Sequence, residues 1–392
     1  MRKKSLVIFI LSMGLMLNIT SIATKADEAP FSVKLNLFDQ TKSEDLGLPT
    51  AKGTETFTIY KPSNATDKYV NGVVMTSYKG WLYCQWQSSA KDEDSEDTWV
   101  AYSRSRDGKN WSKPMELAVP SDKGYCTSGG WWATGDELVA YINVWPSDIS
   151  PRGGYTYYTV STDGLNWTDL SQLEMADGSY MNGVIEQDPH ALPDGRIIGA
   201  AHFQPGLTAS PIYTDDPSGI KGWTRASFTN MPYTGNASRE LEPSWFLRKD
   251  GAAVMTFRDQ NSTYRRLASV SLDNGESWTT PVITDMPDSR AKQSAGNLPN
   301  GIAYMVGNPV TNKTRTPLAV TLSRDGIMFD KAYVLRKGGT DLPPQKYTGK
   351  SKTLGYSYPK STVWNGYLYV AYSTNKEYVQ YTRVPLSSLY KK

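Results

Sequence analysis

Short runs in which apolar and polar residues alternate follow one another along this chain, separated by pairs of turn-forming residues. Alternation with a period of two marks half-buried strands, because successive side chains of a strand point to opposite faces. The turn pairs are Lys79-Gly80, Gly135-Asp136, Asp194-Gly195, Asp250-Gly251, Asn300-Gly301 and Asn365-Gly366. Each joins two alternating runs and so predicts a hairpin. After these hairpins comes a recurring box. It reads Ser105, Arg106, Asp107, Gly108, Lys109, Asn110, Trp111, then Ser161, Thr162, Asp163, Gly164, Leu165, Asn166, Trp167. Fuller and shorter copies run from Ser271 through Asp273 to Trp278 and from Ser323 through Asp325 to Phe329, with a degenerate one from Thr214 to Trp223. The starts at 105, 161, 214, 271 and 323 are 52 to 57 residues apart, and one further interval reaches Ser373. Six units of four short strands predict an all-β fold, a six-bladed β-propeller of four-stranded antiparallel blades. A single blade cannot bury both faces, so the six must close into a ring. Residues 55–60 are expected to supply a strand to the last blade and fasten it.

The first residues follow a different pattern. Arg2, Lys3 and Lys4 precede an apolar stretch over 6–19 and a polar run ending at Lys25 and Ala26. A basic start, a short apolar core and small residues before a cut predict a signal peptide over 1–26, too short in its apolar part to span a bilayer. The mature chain, 27–392, is then one domain, expected to be secreted or periplasmic and monomeric, with no membrane insertion. Loss of Arg2, Lys3, Lys4 and Lys25 turns a formal charge of +3 into −1, so no nucleic-acid footprint is expected. The only two cysteines, Cys84 and Cys126, read either as a disulfide or as buried free thiols. The content of 12 Trp and 25 Tyr fits strands and also fits sugar-binding walls. No zinc-type cluster, phosphate loop or nucleophile elbow occurs, so neither cofactor nor metal is expected.

The repeated boxes resemble the Asp box of the sialidase superfamily. Their residues have a structural reading: Ser and Asp side chains bond the turn's own backbone, Gly takes the backbone angles others avoid, and the aromatic ring packs between strands. A more specific resemblance lies in the fourth unit, where Glu242, Pro243, Ser244, Trp245, then Asp250, Gly251 and Arg258 match the family's Asn-Glu-Pro segment, turn and arginine. In the fifth unit, Gln293, Asn308, Pro309 and Arg315 resemble the segment that gives sialidases another substrate-binding arginine. The sixth opens Gly355, Tyr356, Ser357, Tyr358, where the family has the Tyr-Ser of its nucleophile. The resemblance implies Tyr356 as nucleophile, with Tyr358 second, and Glu242 as the base that takes the phenolic proton. It implies Asp94 or Asp92 as acid/base, and Arg258 and Arg315 on a substrate carboxylate. Asp188-Pro189 echoes Glu242-Pro243, which makes Asp188 and His190 candidates for the channel, with His202 on the next strand a lesser one.

The chain departs from the family at the start of the first unit. Sialidases have an arginine there, whereas this chain reads Tyr69, Val70, Asn71, Gly72, and Asn71 takes the place on the substrate. The reading that results is an exo-acting retaining glycoside hydrolase of the sialidase type acting on an acidic glycan. Its alternatives are a propeller glycosidase or lyase acting on uronate-containing polysaccharide, and a non-catalytic glycan-binding propeller.

Overall fold

The computed structural model describes residues 28–390. The expected leader over 1–26 lies outside them. Blade one is built from Tyr69–Tyr78, Trp81–Ser89, Trp99–Ser105 and Met115–Ala118, paired in that order. Blade two comprises Tyr125–Ala133, Leu138–Trp145, Tyr155–Ser161 and Ser171–Gln172. In blade three the innermost strand is broken into Gly183–Ile185 and His190–Ala191, both paired with Ile197–Phe203, and Thr208–Thr214 and Thr224–Arg225 follow. Blade four is Glu240–Leu247, Ala253–Asp259, Arg265–Ser271 and Val282–Pro287. Blade five is Ser294–Asn297, Ala303–Gly307, Leu318–Ser323 and Lys331–Arg336. Blade six takes Tyr356–Trp364, Tyr367–Thr374 and Tyr378–Pro385, and its outermost strand is Glu55–Tyr60, antiparallel to Tyr378–Pro385. The fold is therefore the expected six-bladed propeller, closed by the expected strand.

The hairpin turns form as their dipeptides dictate. Lys79 and Gly80 both have positive φ, 45° and 75°, as do Asn365 and Gly366 at 43° and 80°, the geometry whose twist suits a two-residue hairpin. Alternation then sends one face of each blade into the layer it shares with the next. Between blades one and two lie Val74, Tyr83, Tyr102, Trp131 and Ile142. Between blades six and one lie Val70, Trp86, Tyr369 and Tyr381. Comparable layers fill the remaining joints, so the ring has no unburied blade face. Ahead of blade six's outer strand, the chain runs along blade five: Ser32–Val33 pairs parallel with Met328–Phe329, and Phe31 meets the Phe329 ring edge-on at 5.3 Å.

The boxes lie between the third and fourth strands, on the rim where the innermost strands end. In the first, Asp107 Oδ1 accepts the N–H groups of Lys109 and Asn110, each at 2.8 Å, and the Ser105 hydroxyl accepts that of Gly108 at 3.0 Å. The backbone donors of Asn110 and Lys109 hold the Asp107 carboxyl far below the usual range. Asp163, Asp273 and Asp325 are held in the same way. Cys84 and Cys126 are free thiols, both buried, in the layers on opposite faces of blade one. Among the described residues no helix is long and apolar enough to cross a membrane.

Candidate functional site

On the opposite rim the innermost strands begin, and there the pairing of first and second strands slips at the same place in three blades. The register shifts between Asn71 and Val74, between Leu241 and Ser244, and between Ser357 and Lys360. The residues released by these bulges are Gly72, Glu242 and Tyr358, with φ of 60°, 53° and 57°. A bulge leaves its extra residue unpaired and re-aims it, here toward the mouth of the central channel. Glycine takes such an angle freely, while a glutamate or tyrosine pays of order 1–3 kcal/mol, a strain that clusters at functional positions. Pro243 and Pro359 follow the two strained residues and have no N–H to give the ladder, which fixes where the slip falls.

Gly72, Glu242 and Tyr358 line one pocket of about 250 Å³, with Asn71, Glu93, Asp94, Trp145, Arg152, Glu186, His202 and Lys292 among its other walls. Arg258 Nη1 donates to both Glu242 Oε2, at 3.1 Å, and the Tyr358 hydroxyl, at 3.2 Å, so phenol and carboxylate share one donor. Three further cationic heads surround the Tyr358 ring: Arg315 at 4.9 Å from its centre, Lys376 at 5.5 Å and Lys292 at 5.6 Å. The charges pair off, one pair within blade four and the others between blades. Asp94 meets Arg152 at 2.9 Å, Glu242 meets Arg258 at 3.1 Å, Glu186 meets Lys292 at 2.8 Å and Glu93 meets Lys376 at 2.7 Å. Arg315 donates to the Ser357 hydroxyl at 2.8 Å, and among the described residues it pairs with no carboxylate. Among the described residues, the charged groups gathered round Tyr358 thus leave one cation, Arg315, without an ion-pair partner.

Burial alone raises the pKa of Glu242, but Arg258 and then Lys292 outweigh it and hold the carboxyl below its ordinary value. Glu93 is likewise lowered, burial being overcome by Lys376 and the Tyr69 hydroxyl. Burial would lower Lys292, and Glu186 and Glu242 reverse this, so it stays charged. On the blade-two side, the Arg152 guanidinium lies 4.3 Å over the Trp145 ring and donates to the Tyr125 hydroxyl at 2.7 Å.

Of the residues singled out in the sequence, Glu242, Tyr358, Asp94 and Asn71 line the pocket, and Arg258 and Arg315 contact Tyr358. Tyr356, the first choice as nucleophile, requires correction. It is fully buried between blades five and six, packed edge-on against Tyr372, with its hydroxyl donating to the Lys337 carbonyl at 2.7 Å. Burial pushes its phenol upward, which opposes nucleophilic use. Asp92 points away and accepts the Lys350 N–H at 2.6 Å. Gln293 is enclosed in the wall of blades four and five, accepting from Thr256 at 2.9 Å and Arg266 at 2.8 Å. Asp188 and His190 line a different cavity of about 590 Å³, toward the box rim. There Asp188 pairs with Lys360 at 3.2 Å, and His190 stacks on Trp245 at 3.9 Å. Asn71 donates to Glu93 Oε1 at 3.2 Å and accepts from Ser373 at 3.1 Å, which commits both ends of its amide.

Sequence reasoning did not single out Lys292, Lys376, Arg152 or Glu93. Lys292 had a signal, since it neighbours Gln293 and alternation turns neighbours to opposite sides. Tyr358 had one too, because Tyr358-Pro359 repeats the dipeptide form of Glu242-Pro243.

A family model described as a BNR repeat-like domain matches residues 80–370. No curated protein matches the chain. Among solved structures, one titled simply a sialidase is 18% identical with a TM-score of 0.58, covering 91% of this chain, which spans only 35% of that one. Trypanosoma rangeli sialidase in complex with sialic acid is 13% identical, TM-score 0.61, over 88% of this chain and 60% of that one. The intramolecular trans-sialidase from Ruminococcus gnavus in complex with oseltamivir carboxylate is 13% identical, TM-score 0.61, over 88% of this chain and all of that one. Likeness at these identities is a likeness of fold.

Proposed function

We propose, for a chain that belongs to the BNR repeat-like domain family and has a sialidase-type propeller, that it is an exported glycoside hydrolase releasing a terminal acidic sugar with retention of configuration. The observation that supports this most is Tyr358, a strained tyrosine that shares a donor with Glu242 and carries the unpaired Arg315 over its ring. A sugar carboxylate supplies the one negative charge that the pocket lacks, and a guanidinium suits it because two N–H groups match two oxygens.

In this reading the Tyr358 oxygen attacks the anomeric carbon and its proton passes to Glu242, while Asp94 gives a proton to the departing oxygen. A covalent glycosyl–tyrosine forms as the glycosidic bond breaks. Water then attacks the same carbon, giving its proton to Asp94, and the phenol recovers its own from Glu242. A neutral phenol meets an anionic sugar with less repulsion than a carboxylate nucleophile would. Asp94 meets Arg152 before substrate arrives, so proton delivery requires the substrate to draw Arg152 away.

The test is turnover of 4-methylumbelliferyl glycosides of N-acetylneuraminic acid and of glucuronic acid, with the first-formed anomer read by proton NMR. Release of one of them with retained configuration, abolished in Tyr358→Phe, is expected. Elimination instead of hydrolysis, seen as an unsaturated product, would replace the reading with a lyase. Binding of free N-acetylneuraminic acid or glucuronate without turnover would leave a glycan-binding propeller.

A further inference from the structure

The bulge that strains Glu242 also frees its backbone N–H from the ladder, and that N–H donates to His202 Nε2 at 3.2 Å. A ring nitrogen that accepts carries no proton, so the proton of the neutral imidazole resides on Nδ1. His202 Nδ1 in turn lies 2.8 Å from Glu186 Oε1, and Glu186 Oε2 lies 2.8 Å from Lys292 Nζ. Lys292 also donates to Gln187 Oε1 at 3.2 Å. His202 and Glu186 are both almost fully buried, at 5% and 6% exposure. From Lys292 to the Glu242 backbone, each polar group met is oriented by the one before it.

We infer that His202 is a positioning residue, which holds the left-handed backbone of Glu242 and is held by Glu186 and Lys292. The inference rests on the reading of Glu242 as the group that takes the Tyr358 proton. A glutamate at φ 53° returns to an ordinary angle unless its surroundings over-determine it. Arg258 fixes its carboxylate, and His202 fixes its N–H. With the second anchor gone, the peptide rotates and the carboxylate moves away from the Arg258 donor that it shares with the phenol. The imidazole has no ring nitrogen left for the substrate, because the two are committed to Glu186 and to Glu242.

Two variants separate positioning from packing. His202→Phe keeps the ring's bulk and removes the acceptor, whereas His202→Gln restores an acceptor oxygen. On the 4-methylumbelliferyl glycoside that the wild type cleaves, His202→Phe is expected to lose roughly 10²-fold in kcat with KM within about threefold, the scale of an ångström-sized misplacement. His202→Gln is expected to recover at least about tenfold of that loss. Hydrogen exchange at the Glu242 amide, followed in protein labelled with ¹⁵N-glutamate, is expected to be slow in the wild type and in His202→Gln and fast in folded His202→Phe. A folded His202→Phe enzyme with wild-type kcat and a protected Glu242 amide overturns the inference. Full activity in Tyr358→Phe overturns the reading of Tyr358 as nucleophile and Glu242 as its base instead, and the exchange measurement then still decides what His202 holds.

Discussion

Tyr356 and Tyr358 stand two residues apart, and strict alternation turns both to the same face. The bulge between Ser357 and Lys360 separates them, sending Tyr358 to the channel and leaving Tyr356 in the core. Tyr356→Phe is therefore expected to keep full turnover and to lose about 1 kcal/mol of stability with its bond to Lys337, read from denaturant midpoints. Tyr358→Phe is expected to lose turnover and keep stability, and the reverse pattern would restore Tyr356 to the site. The two arginines at Tyr358 differ in the same manner. Among the described residues Arg315 has no carboxylate within ion-pair distance, so Arg315→Leu is expected to lower kcat/KM on an acidic substrate by roughly 10²- to 10³-fold with the fold unharmed, the effect of removing a charge-assisted contact. Arg258→Leu strands the largely enclosed Glu242 carboxylate, at a cost of about 3 kcal/mol in stability besides the loss of activity. Equal stability of the two variants would show that Glu242 finds another partner.

At the scale of strands and turns, the sequence was most informative where structure is local. The boxes and the hairpin dipeptides are read from a few consecutive residues, and blade number and strand count followed from them. Asp273 illustrates what such a box does: it accepts the Ser277 N–H at 2.9 Å and the Ser277 hydroxyl at 2.5 Å, on the rim remote from the pocket. Asp273→Ala is expected to destabilise by on the order of 1 kcal/mol and leave kcat unchanged, a pairing that steady-state kinetics and denaturant midpoints check together. Half of the pocket was legible because Glu242, Arg258, Arg315 and the Asp92 to Asp94 loop sit in recognisable surroundings. Bulges were not, since a slip of register leaves the hydrophobic pattern almost intact, and the Tyr-Ser resemblance alone points to Tyr356. Lys376 was out of reach altogether, because its partner Glu93 is 283 residues away and only closure of the ring brings them together.

Closure has consequences for the whole molecule. The Glu55–Tyr60 strand and the Lys350 contact with Asp92 join blade six to its neighbours, so the Glu93–Lys376 pair forms only when the ring is complete, and folding links the protonation of the pocket's paired charges to stability. Glu93, Glu186 and Glu242 are held below the ordinary value by Lys376, Lys292 and Arg258 against the opposing effect of burial. Their contribution is present above the unfolded value near 4.5 and is lost as pH falls below it. Asp288, in the wall between blades four and five, behaves oppositely: burial pushes it up to about 6, with Arg266 3.7 Å away only partly offsetting the effect. Folding therefore favours its protonated form. That contribution is complete below the unfolded value of 3.8 and fades as pH rises through about 6. His190, lowered by burial, adds a slope of the other sign over part of the same range, so the wild type alone does not isolate Asp288. The difference between wild type and Asp288→Asn does, because the amide cannot titrate and His190 is common to both. The unfolding free energy of the wild type minus that of the variant is expected to fall by up to about 3 kcal/mol between pH 4 and 7 and to be flat above, as a carboxyl raised from 3.8 to about 6 implies. Urea titrations at half-unit steps measure it, and a difference that stays level or rises across that window would mean that Asp288 is ionised in the folded ring at every pH tested.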